Sequence, residues 1–134
     1  MKNRLWVSAA CILFAAAFNT ATAGDVEILA AEFRSDGGDT WRVNVTLQHG
    51  DTGWDHYADN WRVVDAEGRV LGDRVLHHPH VDEQPFTRGL GGIVIPEGTE
   101  RVFVEAHDTV HGWSPDRLEI DMRSADGGRI RVEP

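Results

Sequence analysis

The segment TWRVNVTLQ, residues Thr40 to Gln48, decides the fold class of this chain. Every second side chain in it is apolar: Trp41, Val43, Val45 and Leu47. A period of two residues is typical of a β-strand with one face on a core and the other in water. A strand of this kind belongs in an antiparallel sheet that packs on one side only.

Seven further segments carry strand signals, separated by short turns rich in Gly, Asp and Glu. They are Val26–Phe33, Asn60–Asp65, Arg69–Leu76, Leu90–Ile95, Arg101–Ala106, Arg117–Arg123 and Arg129–Val132. Beyond residue 23, no stretch of useful length has the 3.6-residue period of a helix. We therefore predict an all-β fold, an antiparallel β-sandwich of seven to eight strands.

The same alternation predicts which side chains form the core of the sandwich. The expected core residues are Trp41, Val43, Val45, Leu47, Trp61, Val102, Val104, Leu118 and Ile120. Three glycines, Gly89, Gly91 and Gly92, interrupt one of the predicted strands. Glycines inside a strand indicate a bulge or a close approach of another backbone.

Two features resemble immunoglobulin and fibronectin type III domains. The segment LGGIVIPEGTERVFVEAHD, Leu90 to Asp108, is similar to the fifth and sixth strands of such sandwiches and the turn that joins them. Trp61 is similar in placement to their core tryptophan on the third strand. The resemblance implies the immunoglobulin-like sandwich, although the disulfide of antibody domains is absent.

The first 23 residues read as a secretory signal peptide. Lys2 and Arg4 precede an apolar run from Leu5 to Phe18, and Ala21-Thr22-Ala23 is a small-x-small cleavage site. The run is too short to span a bilayer. We expect cleavage near Ala23, a single domain over residues 24–134, and a location in the periplasm or outside the cell, with no membrane insertion after processing.

The expected mature chain is acidic and has no cysteine. The whole chain has 13 basic and 22 acidic residues, so removing Lys2 and Arg4 leaves 11 against 22 and a net charge of −11. Such a surface repels nucleic acid and anionic lipid and attracts cations. Nucleic acid is therefore excluded as a partner.

All seven histidines fall in three short windows, residues 49–56, 77–80 and 107–111. If the intervening segments are antiparallel strands, these windows are alternate loops and open at the same end of the domain. The loops at the opposite end are plain chain reversals. Because long loops on a rigid scaffold often carry function, we place the functional site at the histidine end.

Histidine is the commonest protein metal ligand, and the clustering indicates a metal site. The expected ligands are three or four of His56, His78, His80, His107 and His111. Imidazole and carboxylate ligands without thiolate favour Zn or Cu(II). The alternative for each histidine is an exposed or hydrogen-bonded loop residue, because no specific metal-spacing motif is present.

The same loops hold groups that could support a metal ion or recognise a partner. They are Asp55, Glu83, Arg88, Asp108, Trp54 and Trp113. A carboxylate such as Asp108 could orient a histidine ligand, and Arg88 could bind an anionic group. The alternative is that Glu83 pairs with Arg88 and that Phe86 anchors the long loop to the sandwich.

Catalysis is the weaker interpretation. The chain has no G-x-S-x-G elbow, no H-E-x-x-H helix and no glycine-rich phosphate loop. The two leading hypotheses are a divalent-metal binder and an interaction module that recognises a protein, peptide or glycan through the same loops without metal.

A second resemblance involves the loops themselves. HPHVDEQPFTR, His78 to Arg88, with WDHYADNW upstream, resembles small secreted bacterial proteins of an uncharacterised family with an HPHVxEQPFTR motif. The resemblance implies an exported module and no particular activity.

Overall fold

The computed structural model describes residues 24–123 and 126–134. The predicted signal peptide and its cleavage site lie outside these residues. All elements that the structure describes are strands. Within these residues, no helix is long and apolar enough to cross a membrane. The strands are β1 (Glu27–Gly37), β2 (Thr40–Gln48), β3 (Ala58–Asp65), β4 (Val70–Val75), β5 (Phe86–Val94), β6 (Arg101–Asp108), β7 (Gly112–Trp113), β8 (Leu118–Asp121), β9 (Asp126–Gly127) and β10 (Ile130–Glu133).

The strands form two sheets, which confirms the predicted all-β sandwich. One sheet has the order β5-β2-β1-β10-β9, and the other has the order β4-β3-β6-β7 with β8 also pairing with β6. All pairs are antiparallel except β1 and β10, which run parallel with Ala31 opposite Ile130. Eight strands that alternate in direction would leave the last strand antiparallel to the first. The short strand β9, which the sequence does not predict, adds one more reversal, so β10 runs parallel to β1.

The apolar faces of the two sheets meet in one core. Its largest fully buried side chains include Trp61, Phe33 and Phe86. Eight of the nine predicted core residues are buried, and the ninth, Trp41, is only partly buried. Trp41 lies at the start of β2, where it lines a cleft with Pro96 and Met122 at the end of the sandwich away from the histidines.

The glycines of β5 fit closely against β2, as their positions in the sequence predict. A Cβ atom on Gly89 would collide with the Asn44 side chain, and one on Gly91 would lie 2.7 Å from Arg42 Nη2. Gly92 has a φ of +69°, which side chains rarely adopt. The register between β2 and β5 shifts at this point, so the predicted irregularity is a bulge.

The three histidine windows do lie at one end of the sandwich. The backbone N–H of His80 donates to Asp51 Oδ2 at 2.7 Å, which joins the second window to the first. The backbone N–H of Thr109 donates to the carbonyl of Tyr57, the residue after the first window, at 3.0 Å, which joins the third window to the first. The antiparallel arrangement thus gathers three loops that are far apart in the sequence.

Two tryptophans provide a matched test of the core. Replacing Trp61, which is 0% exposed, by Ala should lower the free energy of unfolding by about 3–5 kcal/mol, because a large buried side chain is lost. Replacing Trp54, which is 68% exposed, should change it by less than about 0.5 kcal/mol. Urea denaturation followed by circular dichroism measures both, and equal losses would contradict the described core.

Candidate metal centre

His49 follows the last residue of β2 and continues the alternation of that strand. Val43, Val45 and Leu47 point into the core, and the side chain of His49 is likewise fully buried. Its Nδ1 lies 2.5 Å from Asp51 Oδ1. The carboxylate holds a proton on Nδ1, and Nε2 faces the interior, 3.4 Å from the Gly24 carbonyl oxygen and 3.7 Å from Asp108 Oδ2.

Asp108 is the last residue of β6, and its side chain is fully buried. Its two carboxylate oxygens have different surroundings. Oδ1 accepts the backbone N–H groups of Val110 at 2.8 Å and His111 at 2.6 Å, so it builds the turn that follows the strand. Oδ2 is buried and has no hydrogen-bond partner among the described residues.

His56 lies in the first window, close to both His49 and Asp108. Its ring centroid is 4.8 Å from that of His49, and its Nε2 is 3.4 Å from Asp108 Oδ1. A local turn positions it, since the backbone N–H of His56 donates to the Gly53 carbonyl. Nε2 is buried and, like Asp108 Oδ2, lacks a hydrogen-bond partner within the described ranges.

One potential ligand atom from each of His49, His56 and Asp108 lies within 4.8 Å of the others. Donors of a tetrahedral site with bonds of about 2.1 Å lie about 3.4 Å apart, so small side-chain movements suffice to close around an ion. His111 borders the group, with its ring 5.0 Å from that of His56 and its Nδ1 3.2 Å from Asp108 Oδ1. We call His49, His56, Asp108 and His111 the histidine–aspartate cluster.

The charged groups of the cluster stabilise one another. Burial alone would lower the pKa of His49, but the hydrogen bond and charge of Asp51 and the charge of Asp108 outweigh it, so this pKa is raised. Burial would raise the pKa of Asp108, but the backbone N–H groups of His111 and Val110 and the nearby histidines keep it below its usual value. The cluster therefore holds an ionised carboxylate, which a cation can use.

Asp51 lies outside the cluster and fixes the position of the His49 ring. Its carboxylate is fully buried and accepts from the His49 ring, from the Ala58 N–H at 3.0 Å and from the His80 N–H. Burial favours its neutral form, yet these three donors lower the pKa of Asp51. One carboxylate thus fixes the His49 ring and ties the second loop to the first.

His78 and His80 lie together outside the cluster, with ring centroids 4.6 Å apart. The His80 ring stacks on Phe86 at 4.0 Å, and its Nε2 accepts from Arg88 Nη2 at 2.9 Å. Arg88 also pairs with Glu83 at 3.3 Å. The alternative interpretation of this segment is therefore the one observed: Glu83 pairs with Arg88, and the buried Phe86 anchors the loop.

His107 points to the other face of its sheet. Side chains alternate along β6, so the inward position of Asp108 requires the outward position of His107. Its Nδ1 lies 2.5 Å from Asp59 Oδ1, and its ring meets the edge of Trp113. Arg62 stacks over Trp113 with a distance of 3.6 Å to the ring centroid.

Of the residues that the sequence indicates, the structure brings His56, His111 and Asp108 together. It places His78 and His80 in a second group and His107 in a third. The Asp55 backbone carbonyl accepts the Thr109 hydroxyl, and the exposed Trp54 makes an edge-to-face contact with Tyr57. Sequence reasoning missed His49 and Asp51 as site residues; extending the alternation of β2 by one inward position, from Leu47 to His49, would have identified the former.

Comparisons with known proteins add two likenesses. No family model matches the chain. It is 39% identical over 110 residues to a protein of Halomicrobium mukohataei named "Putative lipoprotein", over 82% of this chain and 54% of that protein. The chain thus spans about half the length of this relative.

Among solved structures, a hypothetical protein of Pyrococcus horikoshii is similar with a TM-score of 0.45 and 14% identity. The match covers 73% of this chain and 91% of that one. A TM-score below 0.5 says nothing about the function of the chain.

His80 provides a test of the second group. Burial and, next, the charge of Arg88 lower the pKa of its ring below 6.5. The folded state therefore holds fewer protons than the unfolded state between the two pKa values, so His80 should destabilise the fold as pH falls from about 6.5 towards its folded pKa.

An NMR titration should give His80 a midpoint below 6.5, the ordinary value for a histidine. In a His80→Gln variant, the fall in unfolding free energy with decreasing pH should be shallower over the same window. A His80 midpoint above 6.5 would contradict the described packing.

Proposed function

We propose that this chain is an exported, non-catalytic β-sandwich protein that binds one divalent metal ion, Zn or Cu(II), at the histidine–aspartate cluster. One observation carries the proposal. Asp108 Oδ2 and His56 Nε2 are both buried and both lack hydrogen-bond partners among the described residues, and they lie in the same group of potential ligands.

A metal ion bound at the cluster would lower the free energy of the folded protein. A buried polar atom without a partner destabilises a fold by about 1–3 kcal/mol, and by more when the group is charged. Asp108 Oδ2 belongs to an ionised carboxylate. A cation bound between this oxygen and the imidazoles would supply the missing partners at once.

The ligand types indicate the class of metal. Two or three imidazoles with one carboxylate suit Zn and Cu(II), whereas Ca²⁺ and Mg²⁺ require mainly oxygen ligands. The chain has one cysteine, Cys11, and it lies in the predicted signal peptide. Asp51 provides the outer carboxylate that a metal-bound imidazole usually has.

Export is supported by two independent observations. The first 23 residues have the pattern of a signal peptide, and the name of the Halomicrobium relative is that of a lipoprotein. We propose a periplasmic or extracellular location. The resemblance of HPHVDEQPFTR to a motif of small secreted bacterial proteins also supports export.

The second candidate function is an interaction module without metal. It is favoured by the exposed apolar side chains at the histidine end, where Trp54 is 68% and Val110 is 58% exposed. Phe86 is buried and Arg88 is paired with Glu83, so neither is free to bind a protein, peptide or glycan. Trp54 and Trp113 would form such a surface instead.

Calorimetric titration of the untagged mature protein separates the two functions. The protein should bind one Zn or Cu(II) ion at neutral pH. His56→Ala and Asp108→Asn should weaken binding by more than about 100-fold, beyond the 10- to 100-fold effect of an outer-shell change, because each removes a ligand.

Two histidines from the other groups are matched controls. His78→Ala and His107→Ala each remove an imidazole from the same end of the domain but not from the cluster, and both should bind the ion as tightly as the natural protein. Circular dichroism checks that each variant folds. Absence of stoichiometric binding by the natural protein would leave the interaction module, and loss of binding in His78→Ala would move the site to the second group.

A further inference from the structure

The cluster has a closed side and an open side. The side chains of His49 and Asp108 are 0% exposed, and that of His56 is 16% exposed. The His111 side chain is 41% exposed, although its Nδ1 is only 3.2 Å from Asp108 Oδ1. His111 is therefore the member of the cluster that lies between the buried ligands and the solvent.

The backbone beneath His111 is held independently of its ring. Asp108 Oδ1 accepts the N–H groups of both Val110 and His111. Thr109 is fixed to Tyr57 by two hydrogen bonds, one in each direction, at 3.0 and 3.2 Å. The imidazole can therefore rotate away from the cluster while the turn keeps its shape.

We propose that His111 is the fourth and exchangeable ligand, and that the ion enters and leaves the cluster on the His111 side. This inference rests on the proposed metal site. The three buried residues hold the ion, and His111 closes the coordination sphere towards the solvent.

Transfer to a chelating acceptor, which offers several nitrogen, oxygen or sulfur donor atoms, then proceeds by ligand substitution. A donor atom of the acceptor forms a bond to the ion as the bond to His111 breaks, and the oxidation state of the ion is unchanged. The freed imidazole turns into solvent or takes up a proton. Further donor atoms of the acceptor then replace the more buried ligands, and the ion leaves. A site built this way suits delivery of an ion rather than permanent structural binding.

The experiment compares the natural protein with His111→Ala and with His107→Ala, which removes an imidazole four residues earlier on the opposite face. Each protein is loaded with one Zn ion and mixed in a stopped-flow instrument with the chelator 4-(2-pyridylazo)resorcinol. His111→Ala should still bind one ion, with an affinity lowered by about 10- to 100-fold, less than in His56→Ala, because water can take the exposed fourth position. It should also transfer the ion at least about tenfold faster, and His107→Ala should match the natural protein.

Electron paramagnetic resonance of the Cu(II) forms provides a second readout. One coordinated nitrogen should disappear in His111→Ala, and a His111→Asn variant repeats the test with a polar side chain. Unchanged affinity, transfer rate and nitrogen count in the His111 variants would overturn this inference while leaving the metal site intact. Complete loss of binding would also overturn it, because an exchangeable ligand is not essential. If the natural protein binds no ion, the proposed function itself fails.

Discussion

A single buried carboxylate, Asp108, determines the chemistry of this domain. One oxygen accepts two backbone N–H groups and so shapes the turn after β6. The other lies 3.7 Å from His49 Nε2 and has no hydrogen-bond partner within the described residues. A carboxylate with these surroundings stays ionised despite burial. The sandwich thus holds an ionised carboxylate inside its histidine end, beside the imidazoles of His49 and His56.

Asp51 connects the cluster to the loop of the second histidine window. It holds the His49 ring against Asp108, and it accepts a backbone N–H from the loop that carries His77 to Gln84. Gln84 in turn accepts the backbone N–H of His49 and donates to the carbonyl of His80. The first two windows are therefore one connected structure, and a change at the cluster acts on a loop that contributes no member to it.

Much of this architecture could be predicted from local patterns. Alternation in TWRVNVTLQ and its counterparts predicts the strands, and counting antiparallel strands predicts that the three windows meet. The direction in which a side chain points could also be predicted at the ends of the strands. Because Leu47 and Ala106 point inwards, His49 and Asp108 do so too, and His107 points outwards.

The remaining features depend on contacts between loops, which no strand period describes. His80 is held by Phe86 and Arg88 at the start of β5, but His80 and its neighbour His78 lie in the preceding loop, whose path the strand period does not predict. Similarly, Asp51 is buried only because three donors from separate segments converge on it. Sequence pattern gives the end of the sandwich at which a site forms, whereas packing between the loops selects its members.

Crystals of the mature protein grown with Zn or Cu(II), measured at the absorption edge of the metal, test the central claim most directly. One strong anomalous peak is expected within about 2.0–2.2 Å of ligand atoms of His49, His56 and Asp108. A peak beside His78 and His80, or no ordered peak at the histidine end, would contradict it.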